Sequence, residues 1–154
     1  MDGDREVIRR VMICVNVIDG VFAMGAKKIG VKANMLSLLY ALDDGRPHTQ
    51  KEICEHWLIP KTTINTIVRE CIGDGYIVLH GGNGRKEKEI CLTDKGREYT
   101  REILNKMYRL EECAMERTLE TYSPEFVQAL ERFASCLKEQ TKEFILEDEI
   151  DGRR

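Results

Sequence analysis

Residues 60–96 read PKTTINTIVRECIGDGYIVLHGGNGRKEKEICLTDKG, and within them the apolar rhythm changes from helical to strand-like, breaks at a glycine-rich tip and resumes as a strand. In the helical half, Ile64, Ile67, Val68 and Cys71 fall on one face, while Thr62, Asn65, Thr66 and Arg69 share another at i, i+3, i+4 and i+7. A helix face that only meets water favours long Glu and Lys, whereas Thr and Asn are poor helix formers. A face of short hydrogen-bonding side chains is therefore read as one that recognises something, in preference to a solvated surface.

Upstream, Thr49 is placed to cap a helix over QKEICEHWL, with Ile53, Cys54, Trp57 and Leu58 as its expected buried side. Pro60 follows at once and the next helix begins at Lys61, so two short helices are joined by a few residues. That spacing is the layout of a helix-turn-helix. Before it, NMLSLLYAL is expected as a short helix with Asn34 as N-cap, ending ahead of DDGRP. Ile8, Val11, Val15, Ile18 and Phe22 mark the seam of a first amphipathic helix, and GAKKIGVKA is expected to break it.

Downstream, Gly73 and Gly75 end the polar-faced helix, and YIVLH and EKEICLT read as two strands joined by GGNGRK. Gly81, Gly82 and Gly84 tolerate the dihedrals of a tight tip, and Arg85 and Lys86 sit where that tip could meet phosphates. A helix entering a DNA major groove leaves phosphate backbone beside it, and a basic hairpin alongside can hold that backbone. The segment from Arg46 to Arg101 carries ten Lys/Arg against eight Asp/Glu, a local charge of +2, within a chain whose remainder is −5. A basic centre between acidic ends suits a nucleic-acid partner at the centre.

Tyr99, Ile103, Met107, Leu110 and Ala114 form an apolar seam from Asp94 to about Thr118, and SPEFVQALERFASCLKEQTKEFIL opens another helix carrying Phe126, Leu130, Phe133, Leu137 and Phe144. Long amphipathic helices at both ends carry more apolar stripe than the centre can cover, so a homodimer is expected, ahead of a single-chain helical cap. The fold class is mainly α with a small β-hairpin wing. Its organisation is an N-terminal dimerisation helix over 1–30, a winged helix-turn-helix lobe over 31–98 and C-terminal dimerisation helices over 99–154, one domain overall.

The 154 residues suffice for one core, and with 42% hydrophobic and 33% charged residues neither a membrane span nor disorder is expected. No signal peptide is legible at the N-terminus, so the expectation is cytoplasmic. The scattered Cys14, Cys54, Cys71, Cys91, Cys113 and Cys136 lack paired spacing and are read as reduced thiols. No metal site is expected, because Cys54 and His56 are two apart on a helix and do not share a face. The glycine loop leads into a strand rather than a helix, which excludes a P-loop, and there is no GxSxG elbow beside HGG. No catalytic residues stand out, so an enzyme is not expected; a protein-interaction module built on the same fold is the alternative from another class.

From ANMLSLLYAL through HTQKEICEHWLIPKTTINTIVRECIGDGYI to ICLTDKG, the chain resembles the MarR-type winged helix-turn-helix regulators over residues 30–118. The most specific pieces are Lys61-Thr62-Thr63-Ile64, Gly75-Tyr76-Ile77 and Leu92-Thr93-Asp94-Lys95-Gly96. The resemblance implies a dimer of interlocked terminal helices that reads a near-palindromic operator in double-stranded DNA, with repression the expected outcome. Candidate DNA contacts are Thr49, Gln50, Lys61, Thr62, Thr63, Asn65, Thr66, Arg69, Arg85 and Lys86. Of these Lys61, Arg85 and Lys86 are expected on phosphate, and Thr62, Asn65, Thr66 and Arg69 on base edges. The wing departs from the family, because Gly84 and Lys86 occupy positions usually held by Asp and Arg, and Lys lacks the planar two-pronged contact of Arg. No cofactor is expected; relatives imply a small aromatic effector, or an oxidant sensed by a first-helix cysteine, here Cys14. Without an adjacent base to stabilise a thiolate, Cys14 is read first as a buried structural thiol.

Overall fold

The computed structural model describes the backbone of residues 2–81 and 87–151, and the side chains of residues 3–81 and 87–145. The described elements are α1 (Asp2–Ile29), α2 (Ala33–Leu42), β1 (His48–Thr49), α3 (Gln50–Trp57), α4 (Lys61–Gly73), β2 (Ile77–Gly81), β3 (Lys88–Leu92), α5 (Asp94–Leu119) and α6 (Glu125–Asp151). They divide into two compact units, Met1–Arg109 and Leu110–Arg154. Among the described residues, no helix is long and apolar enough to cross a membrane.

The first unit is organised by α2, whose run of apolar residues serves two cores at once. Leu38 and Leu42 join Ile53, Ile59, Ile64, Ile67, Val68, Cys71, Ile77 and Ile90 in a core beneath α3, α4 and the sheet. Leu36 and Leu39 join Ala26 of α1 and Ile103, Leu104 and Met107 of α5 in another. A helix apolar nearly all round is stable only with partners on both sides. Each fully buried Leu or Ile contributes roughly 1.5–3 kcal/mol relative to an exposed one.

The sheet is antiparallel in the order β1-β3-β2. In the β2–β3 hairpin Ile77 faces Leu92 and Gly81 faces Lys88, and on the other edge His48 of β1 faces Ile90. The sequence signals the hairpin but not β1, because two residues are too few to show a period-two alternation.

Four local expectations are corrected. Asn34 is not the N-cap of α2: the helix starts at Ala33, and Lys32, in extended conformation, is the cap residue with no side-chain capping bond. The first helix does not break at Gly25 but continues to Ile29, because a Cβ at Gly25 would lie 2.5 Å from Met107 Sδ and the missing side chain makes room for α5. It ends at Gly30, whose φ of +89° closes the helix while Val31 N–H donates to Ala26 O at 2.9 Å. Leu58 and Trp57 are not on the buried side of α3: Leu58 takes a left-handed φ of 49° just past the helix end and is 75% exposed, Trp57 is exposed as well, and Ile59 is buried instead.

Candidate nucleic-acid interface

The polar-faced helix is α4. Its apolar side is fixed by Ile64, Ile67, Val68 and Cys71, all buried. On the opposite side Lys61, Thr62, Thr66 and Arg69 are exposed, and Thr63 and Asn65 are half-buried. The Thr66 hydroxyl donates to Thr62 O at 3.0 Å, so its hydrogen is spent on the helix while its methyl and oxygen lone pairs face outward. Arg69 supplies up to five donors in a planar fork.

Ahead of it, Thr49 caps α3 in a reciprocal arrangement. Its hydroxyl accepts from Glu52 N–H at 3.2 Å, and its own N–H donates to Glu52 Oε2 at 2.7 Å. Thr49 is only 6% exposed, so the structure places it as the residue that fixes α3, away from the exposed face. The turn into β1 is held by Asp44, which accepts from Arg46 N–H and lies 2.9 Å from His48 Nε2. The His48 hydrogen bond, followed by that of Arg46, holds the Asp44 carboxyl below the usual carboxylate range.

Two hollows flank α4. One, of about 450 Å3, is lined by Gln50, Lys51, Cys54 and Glu55 of α3, Lys61 at the start of α4, and Leu79, Glu87 and Lys88 beside the hairpin. It brings Gln50 and Lys61 together and adds Lys51 and Lys88, which sequence reasoning missed although both lie in the basic segment. The other, of about 320 Å3, brings Thr62, Thr63 and Thr66 together with Lys32 and Asn34 at the start of α2. No local signal marks Lys32, which is 29 positions before the start of the helix it adjoins. Arg85, Lys86 and Gly84 lie outside the described residues.

The angle of α4 is set by residues 92–97. Thr93 Oγ1 donates to Gly75 O at 2.7 Å and accepts from Gly96 N–H at 2.9 Å, and Thr93 N–H donates to Tyr76 O at 3.0 Å. Lys95 Nζ donates to Asp74 O at 2.7 Å and lies 4.9 Å from the Tyr76 ring centre. Tyr76 stacks on Tyr99 at 4.2 Å with the planes 6° apart, and burial, followed by Tyr76, raises the Tyr99 phenol above its ordinary value. These bonds tie the end of α4 and the start of β2 to the start of α5.

All six cysteines are free thiols. Burial, aided by Asp74 and Glu70, pushes the Cys71 thiol up to about 11, and burial followed by Glu89 raises Cys91. Cys14 is not the buried thiol its apolar surroundings suggest: it is exposed, because the described core reaches α1 only at Phe22, Ala26 and Ile29.

A three-helix core with an exposed polar helix and an antiparallel hairpin beside it defines a winged helix-turn-helix protein. The model of the MarR family matches residues 29–86, from the end of α1 to beyond the end of β2. That match spans 58 of the 154 residues, so the likeness to the MarR family lies in the winged helix-turn-helix segment. It is similar to the uncharacterized HTH-type transcriptional regulator YwoH of Bacillus subtilis (strain 168), 29% identical over 83 residues, which is 54% of this chain and 61% of that protein. The match thus spans less than two thirds of that relative's length. Among solved structures, NMB1585, a MarR family regulator from Neisseria meningitidis, superposes with a TM-score of 0.69 at 24% identity, covering 92% of this chain and 97% of that one. A MarR family transcriptional regulator from Listeria monocytogenes, solved with a 26-mer DNA, superposes with a TM-score of 0.63 at 16% identity, covering 86% and 87%.

Proposed function

We propose that this protein is a cytoplasmic, sequence-specific double-stranded DNA-binding transcriptional regulator, a repressor that acts as a homodimer on a near-palindromic operator and is released by a small-molecule ligand. The observation that carries it is α4 itself, anchored on one side by four buried apolar residues and presenting Thr62, Thr66, Arg69 and Lys61 on the other. Thr62, Asn65, Thr66 and Arg69 are assigned to base edges and Lys61, Arg85 and Lys86 to phosphate, while Thr63 on α4 and Gln50 at the start of α3 are further candidate contacts and Thr49 positions α3. A two-fold dimer places the two α4 helices roughly 34 Å apart, reading half-sites about one helical turn apart. The test is selection of bound sequences from random double-stranded DNA at two salt concentrations. An enriched inverted repeat with steep salt dependence is expected, and no enrichment at either salt would overturn the reading in favour of a protein-interaction module.

A second reading, in which an oxidant rather than a ligand releases DNA, rests on the exposure of Cys14 in the single chain, on the face of α1 that also carries Ile18 and Val21. In that case mild peroxide abolishes operator binding by the wild type and leaves Cys14→Ser bound.

A further inference from the structure

Lys32 immediately precedes α2, yet its ammonium lies against the last turn of α4, 3.1 and 3.2 Å from the two carboxylate oxygens of Glu70. Glu70 is the sole carboxylate in α4, next in sequence to Arg69. Beside the pair, Lys32 and Asn34 form one wall of the 320 Å3 hollow, and Thr62, Thr63, Thr66 and Ile67 form the other. Five of these six side chains carry a polar group. The hollow is open to solvent and far larger than a single water requires, which leaves room for a hydrated phosphate group. The hollow also includes Thr62 and Thr66, the two threonines assigned to base edges, so a duplex read by α4 passes over it.

We propose that Lys32 is a phosphate-contacting residue of the DNA interface, held beside α4 by Glu70 until a backbone phosphate entering the hollow takes its place. The proposal rests on the DNA-reading function above and adds to it a contact from outside the helix-turn-helix and wing. The exchange is physically easy in one direction. The side chains of Lys32 and Glu70 are 71% and 42% exposed, and an ion pair so open to water adds little to stability. A phosphate on duplex DNA carries a condensed counterion that is released when an ammonium neutralises it, so the duplex outcompetes Glu70 at low salt. Asn34 and the Thr62 and Thr63 hydroxyls supply further donors to the same group. In the free protein the same pair neutralises the carboxylate that would otherwise repel DNA from this face of α4.

The experiment compares full-length wild type, Lys32→Gln, Lys32→Arg and Glu70→Gln on a selected duplex and on an unrelated duplex across a salt series, with thermal melting of each protein. Lys32→Gln is expected to weaken both duplexes by similar factors and to lower the slope of log affinity against log salt by about 0.9, or about eightfold in affinity over one decade of salt. Lys32→Arg keeps the slope. Glu70→Gln tightens both duplexes without changing their order. A Lys32→Gln protein with the wild-type slope overturns the assignment, and a lowered melting temperature alongside that slope identifies the pair as a staple between α2 and α4. Wild-type protein that binds neither duplex overturns the DNA-reading function itself, which separates the two failures.

Discussion

A Cβ placed on Gly96 would fall 1.9 Å from the carbonyl oxygen of Tyr76. The first turn of α5 rests directly on the backbone at the end of the α4–β2 turn, where Thr93 and Lys95 also bond and Tyr76 stacks on Tyr99. No rotamer change relieves contact with a backbone oxygen, so Gly96→Ala must push α5 away from the turn. Overpacking of this kind costs about 3 kcal/mol. At about 2–4 °C per kcal/mol for a chain of this size, melting should fall by about 6–12 °C. Gly73→Ala, whose Cβ meets nothing within 4 Å, is the control and should melt no lower than wild type.

Cys71 tests the packing of α4 from its apolar side. Its thiol is fully buried and pushed up to about 11, so the folded protein keeps it protonated where an unfolded chain would ionise it near 9.0. Stability from this group is present below pH 9, falls as pH rises through the interval to about 11, and falls no further above it. Alkylation at pH 8 followed by mass mapping should modify the exposed Cys113 and spare Cys71 until denaturant is added. Labelling of native Cys71 at the rate of Cys113 would show that the core beneath α4 is open.

Thr100 on α5 is 1% exposed, and its hydroxyl has no hydrogen-bond partner among the described residues. An orphaned buried hydroxyl costs about 1–3 kcal/mol, and valine has nearly the same shape without it. Thr100→Val should therefore raise the urea midpoint by an amount equivalent to about 1 kcal/mol with an unchanged m-value. A lowered midpoint would mean that the hydroxyl is satisfied by water.

What the sequence discloses depends on how local the cause is. The faces of α4 are legible because Ile64, Ile67, Val68 and Cys71 repeat at the helical period and the polar residues occupy the complement. The turn before α4 is legible from Pro60, yet Leu58 is misassigned because a single left-handed residue reverses which of Leu58 and Ile59 points inward. Gly25 looks like a helix break until Met107, 82 positions away, supplies the reason for a glycine there. The site divides in the same way. Thr62, Asn65, Thr66 and Arg69 follow from spacing, whereas Lys32 meets Thr62 and Thr66 only through the packing of α2 on α4. The LTDKG motif is conspicuous as a pattern, but its work as a clamp on the Asp74–Tyr76 turn is a tertiary fact.

The apolar side chains left in water argue for a partner copy. On α1, Val7, Ile8, Ile13, Val17, Ile18, Val21 and Met24 are each 49–71% exposed; in the second unit, Leu130, Leu137 and Phe144 are 44–65% exposed. Monomeric proteins rarely leave contiguous apolar patches of several hundred Å2 open. Sedimentation should find a dimer at micromolar concentration. Ile18→Glu combined with Leu130→Glu should shift it to monomer while helix content by circular dichroism is kept, since neither side chain belongs to a described core. A wild-type monomer at that concentration would refute the homodimer.

Asn65 separates reading of bases from holding of phosphate. It lies half-buried on the polar face of α4 between Thr62 and Arg69, where a carboxamide can give and accept one hydrogen bond each to an adenine edge. A good two-bond contact of that kind discriminates among bases by about 1–3 kcal/mol. Asn65→Ala should therefore flatten preference at one position of each half-site while leaving the salt slope at its wild-type value. Substituting a phosphate-holding cation does the reverse, weakening all duplexes alike and reducing the slope by about 0.9. Selected-sequence profiles and salt titrations on the same two proteins make the comparison. An Asn65→Ala profile identical to wild type would remove Asn65 from the base-reading set and leave Thr62, Thr66 and Arg69 to carry it.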